Sequence, residues 1–330
     1  MPRPHAAIGV LAVSLLAATA TWAQNGETHV SAKYPSRPVR MIVPLAPGGG
    51  SDIVGRIVAQ ALTQQWDQSV VVDNRPGAGS TMGTAIAARA TPDGYSLLVT
   101  SSSHTIGAAL YPSLWFDVAR DFDEISLLAN QPSIIAVNPT VRAKTLKELV
   151  ALLQAEPGKL AFGSAGQGTA SHLSNELFLM AAGVKAMHVP YKSAGLAATA
   201  LLGGELQFMV TNMATAVPLV KAGKLRGLAV TSLRRAAAIT ELPTADEAGL
   251  PRFEYSTWYG LLGPAGMPRK LLAQIHGDTV KILHSPQVAE RFGSQGLDVQ
   301  ATTPEEFEAY VKAELDKWGR VVRVAGLKVQ

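Results

Sequence analysis

No cysteine occurs anywhere in the 330 residues. That excludes disulfides, cysteine metal sites, a thiol nucleophile and a lipid-anchored leader cysteine. Charge is also sparse, at 16% of residues and with no basic run, so nucleic acid is not an expected partner. The seven histidines show no metal-ligand spacing, such as two on one helix face beside an acid, and no metal is expected. Long apolar runs are missing beyond the N-terminal leader, which excludes a later membrane-spanning helix. There is no fixed-period repeat and no low-complexity tract.

The N-terminus carries Arg3 and His5, an apolar run from Ala6 to Ala18, and small residues suited to cleavage after Ala23. This pattern reads as a signal peptide over residues 1–23 and places the mature protein in the periplasm, free of a lipid anchor. Removing it takes away Arg3 and no acid, so 28 basic residues (29 − 1) face 25 acidic ones and the net charge falls from +4 to +3. Roughly 300 residues remain, enough for a large core and for two lobes rather than one.

The stretch with most chemical content is Arg40 to Val58. A β-branched run leads into Pro44, Leu45, Ala46, Pro47, Gly48, Gly49 and Gly50. The apolar spacing then turns helical through Ile53, Val54, Ile57, Val58, Ala61 and Leu62. This is a strand, a tight loop and a helix start. Glycine lets backbone approach a ligand at angles other residues rarely adopt, and first-turn N–H groups have no acceptor inside the helix, so the loop is a candidate anion site. Ser51 is the expected N-cap, with Asp52 in the acidic first turn.

A second loop of the same kind, Gly163-Ser164-Ala165-Gly166-Gln167-Gly168-Thr169, follows the short apolar run ending at Phe162. It leads into a helix expected to face Leu173, Leu177 and Met180 inward. Thr100, Ser101, Ser102 and Ser103 end a third strand, where open α/β sheets bind ligands. Gly77, Gly79 and Gly83 form only a loose dinucleotide pattern interrupted by Pro76, so the loop is read as structural and no cofactor is expected. Thr145 to Glu148 form a capping box. Residues 125 to 138 and 255 to 262 read as two extended crossings, with Trp258 packed at the second. Strands alternate with helices throughout. An α/β fold of two parallel-sheet lobes follows, with residues 34–127 and 253–330 in one and 128–252 in the other.

Several short motifs, in order along the chain, resemble the periplasmic solute-binding receptors of tripartite tricarboxylate transporters, the TctC-like or Bug receptors. They are Tyr34-Pro-Ser-Arg-Pro-Val-Arg, Val43-Pro-Leu-Ala-Pro-Gly-Gly-Gly-Ser-Asp-Ile, Asp73-Asn-Arg-Pro-Gly-Ala-Gly and Pro92-Asp-Gly-Tyr, then Gly163-Ser-Ala-Gly-Gln-Gly-Thr-Ala-Ser-His-Leu and His188-Val-Pro-Tyr-Lys. Ala222-Gly-Lys-Leu-Arg-Gly-Leu-Ala-Val-Thr-Ser, Leu242-Pro-Thr-Ala-Asp-Glu-Ala-Gly-Leu-Pro, Ser256-Thr-Trp-Tyr-Gly-Leu and Thr303-Pro-Glu-Glu-Phe complete the set. The resemblance implies a type II periplasmic binding protein fold, two α/β domains joined by crossing strands with the ligand cleft between them. It implies that the loops at Pro44 to Asp52 and Ser164 to Thr169 grip a carboxylate from both sides. The implied ligand is a di- or tricarboxylate, an amino acid or an aromatic acid, and the partners are the membrane subunits of such a transporter or a sensor. The receptor is expected to be a monomer. Many members carry Asp-Asn where this chain has Thr211-Asn212. Tyr191, Thr211, Asn212, Thr100 and Ser101 are the candidates for reading the far end of the ligand.

The alternative is a secreted serine hydrolase using Ser164 or the Ser101 to Ser103 cluster with His104 or His172 as base. The five-residue nucleophile-elbow pattern is absent, because Gly163 directly precedes Ser164. A hydroxyl beside a helix start is more often a cap than a nucleophile, and His172 and His188 read as ordinary helix-start and sheet-end residues.

Overall fold

The computed structural model describes Met1 and residues 34–327 except 112, 192–193 and 325. Residues 2–23 of the expected signal peptide lie outside the described residues.

The first expected unit is present as β1 (Val39–Val43), α1 (Gly50–Trp66), β2 (Val70–Asn74), α2 (Thr81–Ala88), β3 (Ser96–Ser101) and α3 (Ser103–Leu110). β1 pairs in parallel with β2 on one side and β3 on the other. A long strand follows, β4 (Phe122–Val137), then α4 (Leu146–Ala155), β5 (Ala161–Ser164), α5 (Ala170–Ala182), β6 (Met187–Pro190), α6 (Ala194–Gly203), β7 (Phe208–Asn212), α7 (Met213–Lys221) and β8 (Arg226–Val230). The return strand is β9 (Ser256–Pro264), and α8 (Arg269–Leu283), α9 (Pro286–Ser294), β10 (Asp298–Val299) and α10 (Pro304–Val324) end the described chain.

The strands join in the order β2-β1-β3-β9-β4-β7-β5-β6, with β8 and β10 also on β4. β4 is the shared element. Its residues from Phe122 to Pro132 pair with β9, whereas Ser133 to Val137 pair with β7. The parallel sets β2-β1-β3 and β7-β5-β6 are therefore linked through antiparallel crossings. Within each set the strands are parallel, as expected, and the structure adds the antiparallel direction of the crossings. A strand that leaves one half and another that returns must run in opposite directions, so the crossings cannot both be parallel to the strands they join.

Caps fix where the helices point. Thr145 Oγ1 accepts from Glu148 N–H, as the capping box requires, and Thr169, Asn212 and Ser285 cap α5, α7 and α9 in the same way. α1 differs from expectation, since its N-cap is Gly49 with no side-chain cap and Ser51 is already inside the helix. Met180 is exposed rather than inward-facing, while Leu173 is buried.

Separate apolar clusters flank the sheet. Val39, Met41, Val43, Val54, Val58 and Leu62 form one with α8 and α9, and Leu149, Phe162, Leu173, Phe178 and Phe208 form another. α10 ties the second to a third, because Phe307 and Val311 pack with Trp258 in that third cluster and Trp318 and Val321 pack in the second. Between these contacts the buried Glu314 accepts from the indole N–H groups of Trp258 (3.2 Å) and Trp318 (2.9 Å) and meets Lys317. Trp258 is thus packing at the crossing, as expected.

Candidate functional site

The first glycine loop is held from behind. Asp52 Oδ2 accepts from Gly48 N–H at 2.9 Å and from Arg56 Nε at 3.0 Å, while its Oδ1 accepts from Asn74 Nδ2 at 3.0 Å. Asn74 Nδ2 also donates to the Leu45 carbonyl at 3.0 Å. Burial works against ionisation of Asp52, but the hydrogen bonds from Arg56, Gly48 and Asn74 outweigh it and hold the carboxyl below its usual range. Asp52 therefore acts as the loop's clamp and does not line the cleft.

The three glycines have different reasons to be glycine. Gly48 has φ +82°, in the left-handed region. Gly50 has no room for a side chain, since a Cβ there would lie 2.1 Å from the Tyr259 hydroxyl. Gly49 sits at φ −82° and ψ 169°, open to any residue, and a Cβ would meet only the Ala46 carbonyl at 3.5 Å. The backbone angle that favours glycine is therefore at Gly48 and not at Gly49. The first ladder bond of α1 runs from Ile53 N–H to the Gly49 carbonyl, so the amides of Gly50, Ser51 and Asp52 precede the helical ladder.

The second loop uses its own amides internally. Ala165 N–H donates to Ser171 Oγ (2.9 Å), Gly166 N–H to Ser164 Oγ (3.1 Å), Gly168 N–H to His172 Nδ1 (3.1 Å) and Thr169 N–H to the Gly166 carbonyl (3.3 Å). The amides left facing outward from the helical ladder are those of Ala170 and Ser171, at the start of α5.

Ser164 lies fully buried, donates to the Gly166 carbonyl at 3.0 Å and sits 2.6 Å from His188 Nε2. His188 stacks on His172 with ring centroids 3.8 Å apart, and Glu176 Oε1 lies 3.6 Å from His172 Nε2. Burial first, and then the neighbouring His172, push the His188 imidazole down to about 4. The pairing of Ser164 with His188 was not among the expected hydrolase pairs. It stays inside the loop, and neither partner lines the cleft.

Two adjoining chambers lie between the loops. The smaller one, about 210 Å³, is lined by Leu45, Gly50, Ser51, Gly79, Ser101, Ser103, Ser133, Ala165, Thr169, Ala170, Ser171, Ser174, Val210, Thr211, Asn212, Tyr255, Thr257 and Tyr259. The larger one, about 540 Å³, adds Ala46, Pro47, Gly48, Gly49, Gln131, Gly195, Thr215 and Gln295 among others. Of the expected residues, Leu45 to Ser51, Ser101, Ala165, Thr169, Thr211 and Asn212 are brought together here. Others are placed elsewhere. Thr100 is buried with its hydroxyl unpartnered among the described residues, and Ser102 is turned to β9, where its Oγ accepts from Trp258 N–H at 3.1 Å. Gly166 and Gly168 serve the loop's internal bonds, and Tyr191 reaches Glu205 at 3.4 Å from a half-buried position. His104 is no base for the Ser101 cluster, because its ring packs among Phe116, Phe122 and Trp258 and burial pushes it down to about 3.

Sequence reasoning missed the cleft floor. Tyr255, just before β9, alternates with Thr257 and Tyr259 within it, and a period of two puts them on one face, with Trp258 on the other. Tyr259 Oη donates to Gln131 Oε1 at 3.2 Å, and Gln131 Nε2 donates to the Gln295 carbonyl at 2.7 Å. That alternation was the signal available in the sequence.

Comparison with known proteins agrees with this architecture. The family model described as the tripartite tricarboxylate transporter family receptor matches residues 54–327. Protein BugT of Bordetella pertussis is 35% identical over 299 residues, 90% of this chain and 92% of BugT. Rpa4515 of R. palustris, solved with adipate, superposes with a TM-score of 0.81 at 28% identity over 89% of this chain and 99% of that one. MatC from Rhodopseudomonas palustris, solved with bound malate, gives 0.78 at 29% identity over 88% and 100%.

Proposed function

The chain belongs to the tripartite tricarboxylate transporter receptor family, and from that premise we propose that it captures a small carboxylate between its two glycine-loop helix starts. The observation that carries the reading is the convergence of α1 and α5, with first-turn residues Gly50, Ser51, Ala170 and Ser171, on one cavity. Amides at such helix ends have no acceptor in the ladder and the helix dipole favours negative charge there. Adipate and malate in the relatives' structures fit the same chemistry. Hydroxyls of Ser101, Thr211, Thr257 and Tyr259 and the amide of Asn212 read the rest of the ligand.

The expected lobes, residues 34–127 with 253–330 and residues 128–252, belong to the same proposal. Its support is the partner exchange in β4 between Pro132 and Ser133, where two halves can hinge about the crossings. Export by the signal peptide without a lipid anchor, a monomeric receptor, and delivery to transporter membrane subunits or a sensor complete the reading. The family is one of receptors, and a buried Ser164 occupied by loop bonds gives the hydrolase alternative no support.

The test is a thermal-shift screen of the mature protein against di- and tricarboxylates, amino acids and aromatic acids, with ester and amide substrates in parallel. One or a few acids should stabilise it by about 3 kcal/mol at a hundredfold excess over Kd. No shift with any acid, together with turnover of an ester, would refute the receptor reading.

A further inference from the structure

Resting on the carboxylate reading above, we infer that His172 and His188 are positioning residues of the receptor: as a stacked pair of neutral imidazoles they hold the second glycine loop in its binding shape. Carboxylate capture is then coupled to their deprotonation.

Ala165 and Thr169 line the smaller chamber, and the two rings pin the turn between them from behind. His172 Nδ1 accepts from Gly168 N–H at 3.1 Å, so that nitrogen carries no proton and the ring's proton is on Nε2. Ser164 has one hydroxyl proton and gives it to the Gly166 carbonyl, so His188 Nε2–H is the donor across the 2.6 Å to Ser164 Oγ. Ser164 Oγ also accepts from Gly166 N–H. Gly166 and Gly168 have φ +126° and +75°, angles that need such bonds to select them from glycine's wide range, and Thr169 at the end of the turn caps α5.

A cation on either ring is at odds with this arrangement. On His172 the second proton would land on the atom that accepts Gly168 N–H. On His188 it would charge a ring whose centroid is 3.8 Å from that of His172. The surroundings offer little in return. β5 presents the apolar ring of Phe162 to both imidazoles, and among the described residues Glu176 on α5, 3.6 Å from His172 Nε2, is the acid that faces them. Its attraction is outweighed at His188 by burial and by His172. The bonded loop therefore binds fewer protons than the unfolded chain, and its stability is complete above the ordinary imidazole value of 6.5 and falls as the pH drops toward about 4.

The test joins imidazole nitrogen NMR with calorimetry on the mature protein. In the ligand-free protein at pH 7.5 His172 should be the Nε2–H tautomer, and an Nδ1–H tautomer or an imidazolium would overturn the inference whatever the ligand. The probe for titration is whichever of malate, adipate, succinate, aspartate and phenylacetate gives the largest thermal shift. His172→Leu removes the acceptor and should weaken binding about two- to tenfold, the worth of one hydrogen bond. His172→Asn keeps an acceptor near the Nδ1 position and takes no proton, so it should bind within about twofold of the unaltered protein at pH 7.5. Comparing the two proteins at each pH cancels the ionisation of the acid itself. On acidification to pH 5 the unaltered protein should lose roughly threefold or more affinity beyond the asparagine variant's loss. A smaller difference, or a folded His172→Leu variant with full affinity, would overturn the inference and leave the carboxylate reading intact. Binding by none of the five acids would remove the carboxylate reading, and the His172 tautomer would then decide the loop assignment alone.

Discussion

The site is most sharply defined at the residues that tolerate no side chain. Gly50→Ala would push a methyl group against the Tyr259 hydroxyl, 2.1 Å from the Cβ position. Tyr259 is buried and tied to Gln131, so the start of α1 has to move instead. Overpacking of this kind costs about 1–3 kcal/mol, and carboxylate affinity should fall at least tenfold by calorimetry. Gly49→Ala should leave affinity within a few fold, because its backbone is ordinary and its nearest contact is 3.5 Å away. Equal losses at both positions would mean that the loop acts through flexibility rather than through the shape at Gly50. The sequence marks all three glycines alike. What separates them is the long-range approach of Tyr259, more than two hundred positions away, which no local pattern contains. Asp52 was likewise legible as a first-turn acid, but its role as the clamp on Gly48 depends on Arg56 and Asn74, and Asn74 arrives from a different strand.

The elements themselves were well signalled. Proline and capping residues announced α4, α8, α9 and α10, and the period of apolar residues located β1, β3, β4 and β9 within a few positions. Less visible was how elements are joined, because joining depends on buried polar contacts between distant segments. Glu314 is the main example, one carboxylate on α10 accepting from Trp258 of β9 and from Trp318. Glu314→Ala leaves two buried indole N–H groups without an acceptor, at about 1–3 kcal/mol each. The urea midpoint should fall accordingly, and Glu314→Gln, which keeps an acceptor, should lose less. A midpoint unchanged in the alanine variant would show that α10 is held by apolar packing alone. The α5 start shows the opposite lesson. Its loop was read as a partner to the first, yet its amides turn inward to Ser164, Ser171 and His172, leaving the ladder-free donors to Ala170 and Ser171.

At the scale of the whole molecule, one strand crosses between two halves and another returns, and the cleft lies where they and the glycine loops meet. Alternation of strands and helices made this α/β plan readable, and the motif order pointed to the family. The antiparallel direction of the crossings and the β9 floor needed the assembled sheet, since strand pairing is a property of distant segments. The central claim is that a carboxylate is held by the starts of α1 and α5. Its most direct test is a crystal structure with the tightest-binding acid from the screen. Carboxylate oxygens should lie roughly 2.7–3.2 Å from the amides of Gly50 or Ser51 and of Ala170 or Ser171. An acid bound away from both helix starts, or a cleaved ester attached to Ser164, would contradict it.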